Sequence, residues 1–409
     1  MKKVITVLLI VMLLFSLMLC LISCSKKHIT ITFVSDGDEE ISPIEYVFDG
    51  KTINQHFSLP SANKENKTVN GILYTYTFEG WSYRYNSGND AKELVIKSID
   101  VATFSQDVTV YAKFEEQVVF GEYPQTLVDR VDFNGEENKK AELINSLNNR
   151  AGGLPTEDND NGWCDYNFYK GGEVRSYIWY KDVEYLGEKY RGVFATDIRQ
   201  DLATETTKSM MAIFDKTYNL NQIYWFKWEP IIWDIISNSN GETLWLVSDK
   251  VLDAQAFNNK RTTNEYEHNG GSGYANNYEL SDIRQWINND FLNTAFNQGL
   301  GYLTKDGENL DYVNLMSSYS CTNIQNRPKL IKAKASDYAL ALNLNKYEDN
   351  YANWWLCTPT KDAGSNPVLS ADNYWVQYAQ YISYSGVEYN DYVDRTSNGV
   401  RPRILLKTN

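Results

Sequence analysis

A period-two alternation of β-branched and aromatic residues recurs along this chain, and it confines much of it to half-buried sheet. Ile29-Thr30-Ile31-Thr32-Phe33-Val34, Ile72-Leu73-Tyr74-Thr75-Tyr76-Thr77-Phe78 and Val108-Thr109-Val110-Tyr111-Ala112-Lys113-Phe114 each send alternate side chains to opposite faces of a strand. Asp49-Gly50 and Asn70-Gly71 supply turns between such strands. From Val118 onward the texture is mixed. Strands are predicted at 177–180 and 190–194, with a hairpin from 225–236 through Gly241 into 244–248. A helix is predicted over 141–147, stopped by Gly152-Gly153. Another starts at Ser281, an N-cap residue, and sets Ile283, Trp286, Ile287, Phe291 and Ala295 on one face. Ser336 or Asp337 caps a third, running through Leu342. With 409 residues, 43% of them hydrophobic, the chain is too long for one ordinary domain and too apolar for a disordered one. The pattern is α+β.

The N-terminus reads differently. Lys2 and Lys3 precede an apolar run from Val4 to Ile22, which ends in Leu21-Ile22-Ser23-Cys24 and then Ser25-Lys26-Lys27. This ending resembles the bacterial lipobox, in which the final Cys is acylated and becomes the first residue. The resemblance implies that residues 1–23 are a signal peptide and that Cys24 is the lipid attachment site. It also implies a palmitate-type anchor of more than one acyl chain, on the extracytoplasmic face of the cell membrane. Residues 24–28 form a short lipidated tether, so the next segment sits close to the bilayer and a distal ligand site belongs to residues 118–409. Cys164, Cys321 and Cys357 remain, an odd count that leaves at least one thiol unpaired; all three are expected as buried small hydrophobes.

Two further resemblances follow from motifs. Phe78-Glu79-Gly80-Trp81, followed by Asp107-Val108-Thr109-Val110-Tyr111-Ala112-Lys113-Phe114, is similar to the Listeria–Bacteroides repeat, the internalin B-repeat. It implies a small β-grasp-like unit over 29–116, of a kind found in surface proteins as a spacer. Phe120-Gly121-Glu122-Tyr123-Pro124-Gln125, Glu229-Pro230-Ile231-Ile232-Trp233, Ser281-Asp282-Ile283-Arg284-Gln285-Trp286-Ile287-Asn288, Trp354-Trp355-Leu356 and Gly399-Val400-Arg401-Pro402 stand in the order seen in a bacterial domain family of unknown function, DUF six-two-seven-three. That resemblance covers 118–409. Members often have Arg where this chain has Cys357 and Ala where it has Arg403, so a role for an arginine at the first position does not transfer. The Trp-Trp and Gly-Val-Arg ending is also similar to C-type-lectin-like proteins of the formylglycine-generating kind. It implies a larger C-type-lectin-like α+β domain in which Trp354, Trp355, Gly399 and Arg401 are framework residues.

Chemistry is sparse. A net charge of −14, with 39 basic against 53 acidic residues and no basic block, excludes nucleic acid as a partner class. Only His268 lies in the large segment, and Tyr274 stands where a nucleophile elbow after Ser272 needs glycine, so a flexible loop is expected there. Glu45 occupies the position of the first glycine of a phosphate loop ending at Gly50-Lys51-Thr52. Phe168 stands where an EF-hand with Gly162 needs its bidentate Glu. No paired Cys or His spacing suits zinc. No catalytic residue, metal or cofactor is assigned.

Aromatic density is what remains. The last sixty residues concentrate Trp and Tyr, and residues 371–378 alternate as a strand does, so some rings face outward. Tyr374, Trp375, Tyr378 and Tyr381 are the expected ligand-binding set. The expected function is recognition of a polysaccharide or an extracellular protein without turnover. The rival readings are an extracellular enzyme on glycans or proteins, and a structural envelope component.

Overall fold

The computed structural model describes residues 27–37, 40–48, 56–85, 92–100, 104, 106–156, 159–166, 178–196, 210–213, 216–239, 241–297, 299–306, 310–325, 327–342, 344, 347–360 and 374–408. Cys24 and the segment before it lie outside the described residues. The described chain is a strand-rich α+β structure with several sheets. It separates into two compact units: one takes the described residues up to Thr68 with Tyr74–Gln117, the other Val69–Leu73 with the chain from Val118. No helix among the described residues is long and apolar enough to cross a membrane.

In the first unit, β1 (Lys27–Val34) runs antiparallel to β2 (Ile44–Phe48), with Ile29 opposite Tyr46. A second pair joins β3 (Ile72–Tyr85) to β4 (Lys92–Ile96), with Trp81 opposite Ile96. The first part of β5 (Val108–Leu127) lies parallel to β1, with Ile31 opposite Val108. Alternation decides the core: Ile29, Ile31, Phe33, Trp81 and Val110 are buried together. Trp81 donates its indole N–H to the Pro60 carbonyl at 2.7 Å and meets the Phe33 ring edge-on at 4.7 Å. Gly80 has φ +142°, and a Cβ there would stand 2.7 Å from the Ile96 carbonyl oxygen. The Gly-Trp centre of the motif therefore has a steric cause, because only glycine lets the two strands close over the indole.

The second unit begins its helical content with α1 (Glu137–Ala151), longer than the predicted 141–147 and ended by Gly152 at φ +73°. Its Leu147 and Ala151 pack on an antiparallel sheet through Val183, Phe194 and Trp225. That sheet runs β6 (Cys164–Asp165), β7 (Ile178–Tyr185), β8 (Glu188–Ala195) and β9 (Ile223–Ser239). The hairpin from β9 into β10 (Thr243–Ser248) forms as the alternation predicts, with a bulge between Ile235 and Ser237. A second sheet has the order β11 (Asp253–Ala254), β15 (Gly399–Val400), β12 (Trp354–Pro359), β13 (Tyr378–Ile382) and β14 (Glu388–Tyr392). The last strand, β16 (Arg403–Lys407), pairs with β10.

Helices close the unit. Ser281 caps α2 (Asp282–Trp286), accepting from the Arg284 N–H, and α2 continues through a π-helical turn, Ile287–Phe291, into α3 (Leu292–Ala295). Ile283, Ile287, Phe291 and Ala295 are buried as predicted, whereas Trp286 is only half-buried. Ser336, not Asp337, caps α4 (Asp337–Ala341). Asp337 turns inward and accepts from the Leu127 N–H at 2.9 Å and from Arg130 at 3.2 Å.

Three sequence expectations are corrected. Residues 374–377 form a 3₁₀ turn rather than strand, and β13 starts only at Tyr378. Here the Trp375 carbonyl accepts from the distant Asn276 amide at 3.5 Å, and residues 371–373 of the predicted strand lie outside the described residues. The segment around His268 is a hairpin, Tyr266–His268 against Gly271–Gly273, not a loop, because Asn269 (φ 48°) and Gly270 (φ 87°) both adopt the left-handed conformation that a two-residue turn demands. Cys164 is exposed rather than buried, since it sits on an edge strand; Cys321 is buried and Cys357 intermediate, and none of the three is in a disulfide.

Candidate functional site

The residues expected as framework lie in the centre of the second unit. Trp354 and Trp355 are fully buried, and Trp354 stands directly beside Gly399 in a parallel pair. A Cβ on Gly399 would fall 2.2 Å from a methyl of Val251 and 2.9 Å from the Asp253 carbonyl oxygen, so a larger residue would displace its neighbours here. Arg401, also fully buried, donates from Nε to the Ser248 carbonyl at 2.8 Å and from Nη1 to the Leu330 carbonyl, and its second Nη lies 3.4 Å from Asp234. Its guanidinium also stands 5.1 Å from the Trp354 ring. Burial pushes the Arg401 pKa below its ordinary value, with Asp234 opposing. A buried cation persists here because carbonyls, a carboxylate and an indole surround it on several sides.

The expected ligand-binding residues do not form one surface. Tyr374 opens the 3₁₀ turn. Trp375 is 41% exposed, with its ring 5.4 Å from that of Tyr378. Tyr378 stacks on Tyr392, its partner across the hairpin, at 4.3 Å, and the Arg261 guanidinium lies 4.2 Å from the Tyr392 ring. Asp394 holds Arg261 by a 3.4 Å ion pair. Tyr381 is three residues along the strand from Tyr378, and odd spacing sends it to the opposite face. There it meets Trp355 edge-on at 6.2 Å and Tyr389 at 6.1 Å, and burial pushes its hydroxyl pKa up to about 12. The structure therefore joins Trp375 and Tyr378 with Tyr392 and Arg261 in one aromatic ledge and leaves Tyr381 out of it. Tyr392 was visible as one of many C-terminal aromatics; Arg261 lies far upstream and carried no local signal.

Sequence inspection also missed a buried polar cluster. Asp253, fully buried, accepts from the Tyr123 hydroxyl at 2.7 Å, the Ala254 N–H at 2.7 Å, Gln255 Nε2 at 3.2 Å and the Tyr166 hydroxyl. Four donors on one carboxylate compensate its loss of water. Nearby, Arg191 makes a bidentate pair with Asp182, 2.8 Å on each arm, and donates to the Tyr338 hydroxyl at 3.3 Å. Its guanidinium also lies 4.3 Å from the Tyr180 ring. Burial opposes the Arg191 charge, but the Tyr338 hydroxyl and the Asp182 carboxylate more than restore it. These residues come from strands, turns and a helix distributed between positions 123 and 338, so no spacing in the sequence announces them.

Among the described residues no group of three His, Cys, Asp or Glu side chains is placed to hold a metal ion. His268 and Ser272 are not directly opposed in their hairpin, where His268 faces Gly271 and Ser272 faces Glu267. Comparison with known proteins finds no matching family model, no matching curated protein and no matching solved structure.

Proposed function

We propose that this chain is a surface lipoprotein, held at the extracytoplasmic face through Cys24, whose second unit recognises a polysaccharide or an extracellular protein without turning it over. The observation that carries the reading is the ledge of Trp375, Tyr378 and Tyr392 with Arg261 at its end. Flat π-faces partly open to solvent suit the apolar faces of sugar rings and the aromatic or aliphatic anchors of a protein partner. Arg261 adds a cation already held in place by Asp394. The neighbouring strands that carry Trp354 and Gly399 support the C-type-lectin-like reading of this unit, and the Trp81 core supports the β-grasp-like spacer reading of the first.

The test is binding of the full chain, in a sugar-free detergent, to arrays of glycans and extracellular-matrix proteins. Trp375→Ala serves as the comparison, with its fold verified by near-ultraviolet circular dichroism. Saturable binding weakened about tenfold or more by the substitution supports the ledge, in the range expected of a truncated aromatic hot spot. Saturable binding that Trp375→Ala leaves unchanged removes it. Incorporation of labelled palmitate into the wild-type chain and not into Cys24→Ala tests the anchor.

A further inference from the structure

The cavity beside the buried polar cluster, with Arg191 and Gln255 on its wall, measures about 110 Å³, the scale of about four water molecules at ~30 Å³ each. A larger one, of about 410 Å³, opens elsewhere in the second unit. It has room for about fourteen waters and lies within the roughly 300–1,000 Å³ of small-ligand pockets. Its floor is aromatic. The Phe120 ring stacks on Phe296 at 5.4 Å and meets Tyr302 edge-on at 6.0 Å, and all three line the space. Phe296 in turn meets the buried rings of Phe291 at 5.9 Å and Trp233 at 6.0 Å, which anchors the floor in the core. Two glycines permit this packing: a Cβ on Gly121, at φ +73°, would stand 2.7 Å from the Phe296 ring, and one on Gly299 2.8 Å from the Phe120 ring. Tyr302 stays 41% exposed and Phe120 half-buried, so the floor presents apolar ring surface to the opening.

Two opposite charges border the same space. Lys189 on β8 and Glu122 on β5 both line it, with their head groups 4.0 Å apart, too far to hydrogen-bond each other. Among the described residues neither head group has a hydrogen-bond partner. The Lys189 ammonium lies 3.2 Å from the centre of the Trp228 ring, a contact that positions it without using a conventional acceptor. Burial pulls the Lys189 pKa below its ordinary value, against the opposite pull of Asp182 and Glu122, so the ammonium gains from a further anionic neighbour.

We infer that this cavity binds a free α-amino acid with an aromatic side chain, its ring on Phe120 and Tyr302, its carboxylate on Lys189 and its ammonium on Glu122. The two charged ends of such a molecule stand about 3 Å apart across one Cα, close to the spacing of the two protein head groups, so the four charges alternate in sign around a ring. A ligand with a carboxylate alone meets Glu122, and one with an amine alone meets Lys189; only a molecule carrying both ends gains from both. A peptide interior carries neither charge, and a peptide terminus carries only one. The cavity also matches in size, since an aromatic amino acid has about a dozen non-hydrogen atoms against room for about fourteen waters. The site shares no residue with the aromatic ledge, so the inference stands or falls independently of it.

The experiment is fluorine NMR of L-para-fluorophenylalanine with the full chain in detergent, against micelles without protein. The competitors are L-phenylalanine, N-acetyl-L-phenylalanine and L-phenylalaninamide. The expected result is saturable line broadening that L-phenylalanine reverses, with the acetylated and amidated forms each competing about fivefold less well, the scale of one partly exposed ion pair. Glu122→Gln and Lys189→Gln are each expected to weaken the probe about fivefold, and Trp375→Ala to change it less than about twofold. Glu122 is exposed, so its substitution leaves the core intact. Glu122→Gln is also expected to abolish the preference for the free amine over the acetylated form, an effect that a structural role for Glu122 does not produce. No saturable broadening at about 20 mM probe, a concentration that detects even millimolar Kd values, overturns the inference. Equal competition by the acetylated or the amidated form overturns the zwitterion class. Binding unchanged in Glu122→Gln and Lys189→Gln removes the ligand from this cavity.

Discussion

The indole N–H of Trp355 donates to the main-chain carbonyl of Gln255 at 2.9 Å. Trp355 is fully buried, its ring meeting Phe257 on one side and Tyr381 on the other, so this single bond ties β12 to the segment that carries Asp253 and Gln255. Both the strand that leads toward the aromatic ledge and the wall of the polar cavity depend on where this indole sits.

Trp355→Phe keeps an aromatic ring but leaves the Gln255 carbonyl without its donor. The expected loss of stability is about 1–3 kcal/mol, the usual cost of a buried unsatisfied acceptor together with the volume lost. Urea denaturation of the variant against the wild type measures it. An unchanged midpoint would show that the bond is dispensable.

Arg401 is anchored by two carbonyls, Asp234 and the Trp354 ring. Arg401→Ala is expected to cost about 3–5 kcal/mol, because it removes the buried cation beside Asp234 and leaves the Ser248 and Leu330 carbonyls without this donor. Arg401→Lys is expected to be nearly as damaging, since one ammonium cannot reach Ser248 and Leu330 in the planar geometry of a guanidinium. Recovery of wild-type thermal stability by lysine would argue that only the charge matters.

Trp375→Ala is expected to change stability by less than about 1 kcal/mol, since the residue is 41% exposed. Calorimetric unfolding decides this. A larger loss would mean that the ledge is a structural brace and would weaken its reading as a binding face.

Asp337 and Asp391 are both held above the ordinary carboxylate pKa by burial, with the N–H groups of Leu127 and Tyr392 as the main opposing influences. A raised folded-state pKa means that the folded chain binds the proton more tightly than the unfolded one. Each group therefore contributes stability below its ordinary value, and that contribution is lost as pH rises from about 4 through the raised pKa. Asp391→Asn is expected to flatten the decline in urea midpoint as pH rises above about 4, relative to the wild type. An unaltered slope would contradict the assignment for Asp391.

Cys164 is exposed, whereas Cys321 is buried with its thiol pKa pushed up to about 12 by desolvation. The thiolate is the reactive form, so maleimide is expected to label Cys164 in the native chain and Cys321 only after denaturation. Peptide mapping of the labelled protein reads both sites at once. Native labelling of Cys321 would show that the surrounding core opens readily.

Alternation alone made the strands around Ile29, Ile72, Val108 and Leu244 legible, because side-chain period is a local property that burial on one face must respect. The same holds for the cap at Ser281 and the apolar face of Ile283, Ile287 and Phe291. The 3₁₀ turn at 374–377 was not legible, since the Trp375 carbonyl meets the Asn276 amide, about a hundred residues upstream, which no local pattern announces. Nor could a list of C-terminal tyrosines reveal that Tyr378 and Tyr381 face opposite ways, because that requires both to lie in one strand, Tyr378–Ile382.

What the sequence by itself determined is the alternation, the caps and the turns, which follow from the geometry of a few successive residues. Only the tertiary structure decided which aromatic rings share a surface, that Arg261 joins Tyr392, and that Asp253, Arg191 and Gln255 meet beside a cavity. Those encounters depend on how strands from distant parts of the chain align in register, and register is a property of the packed whole.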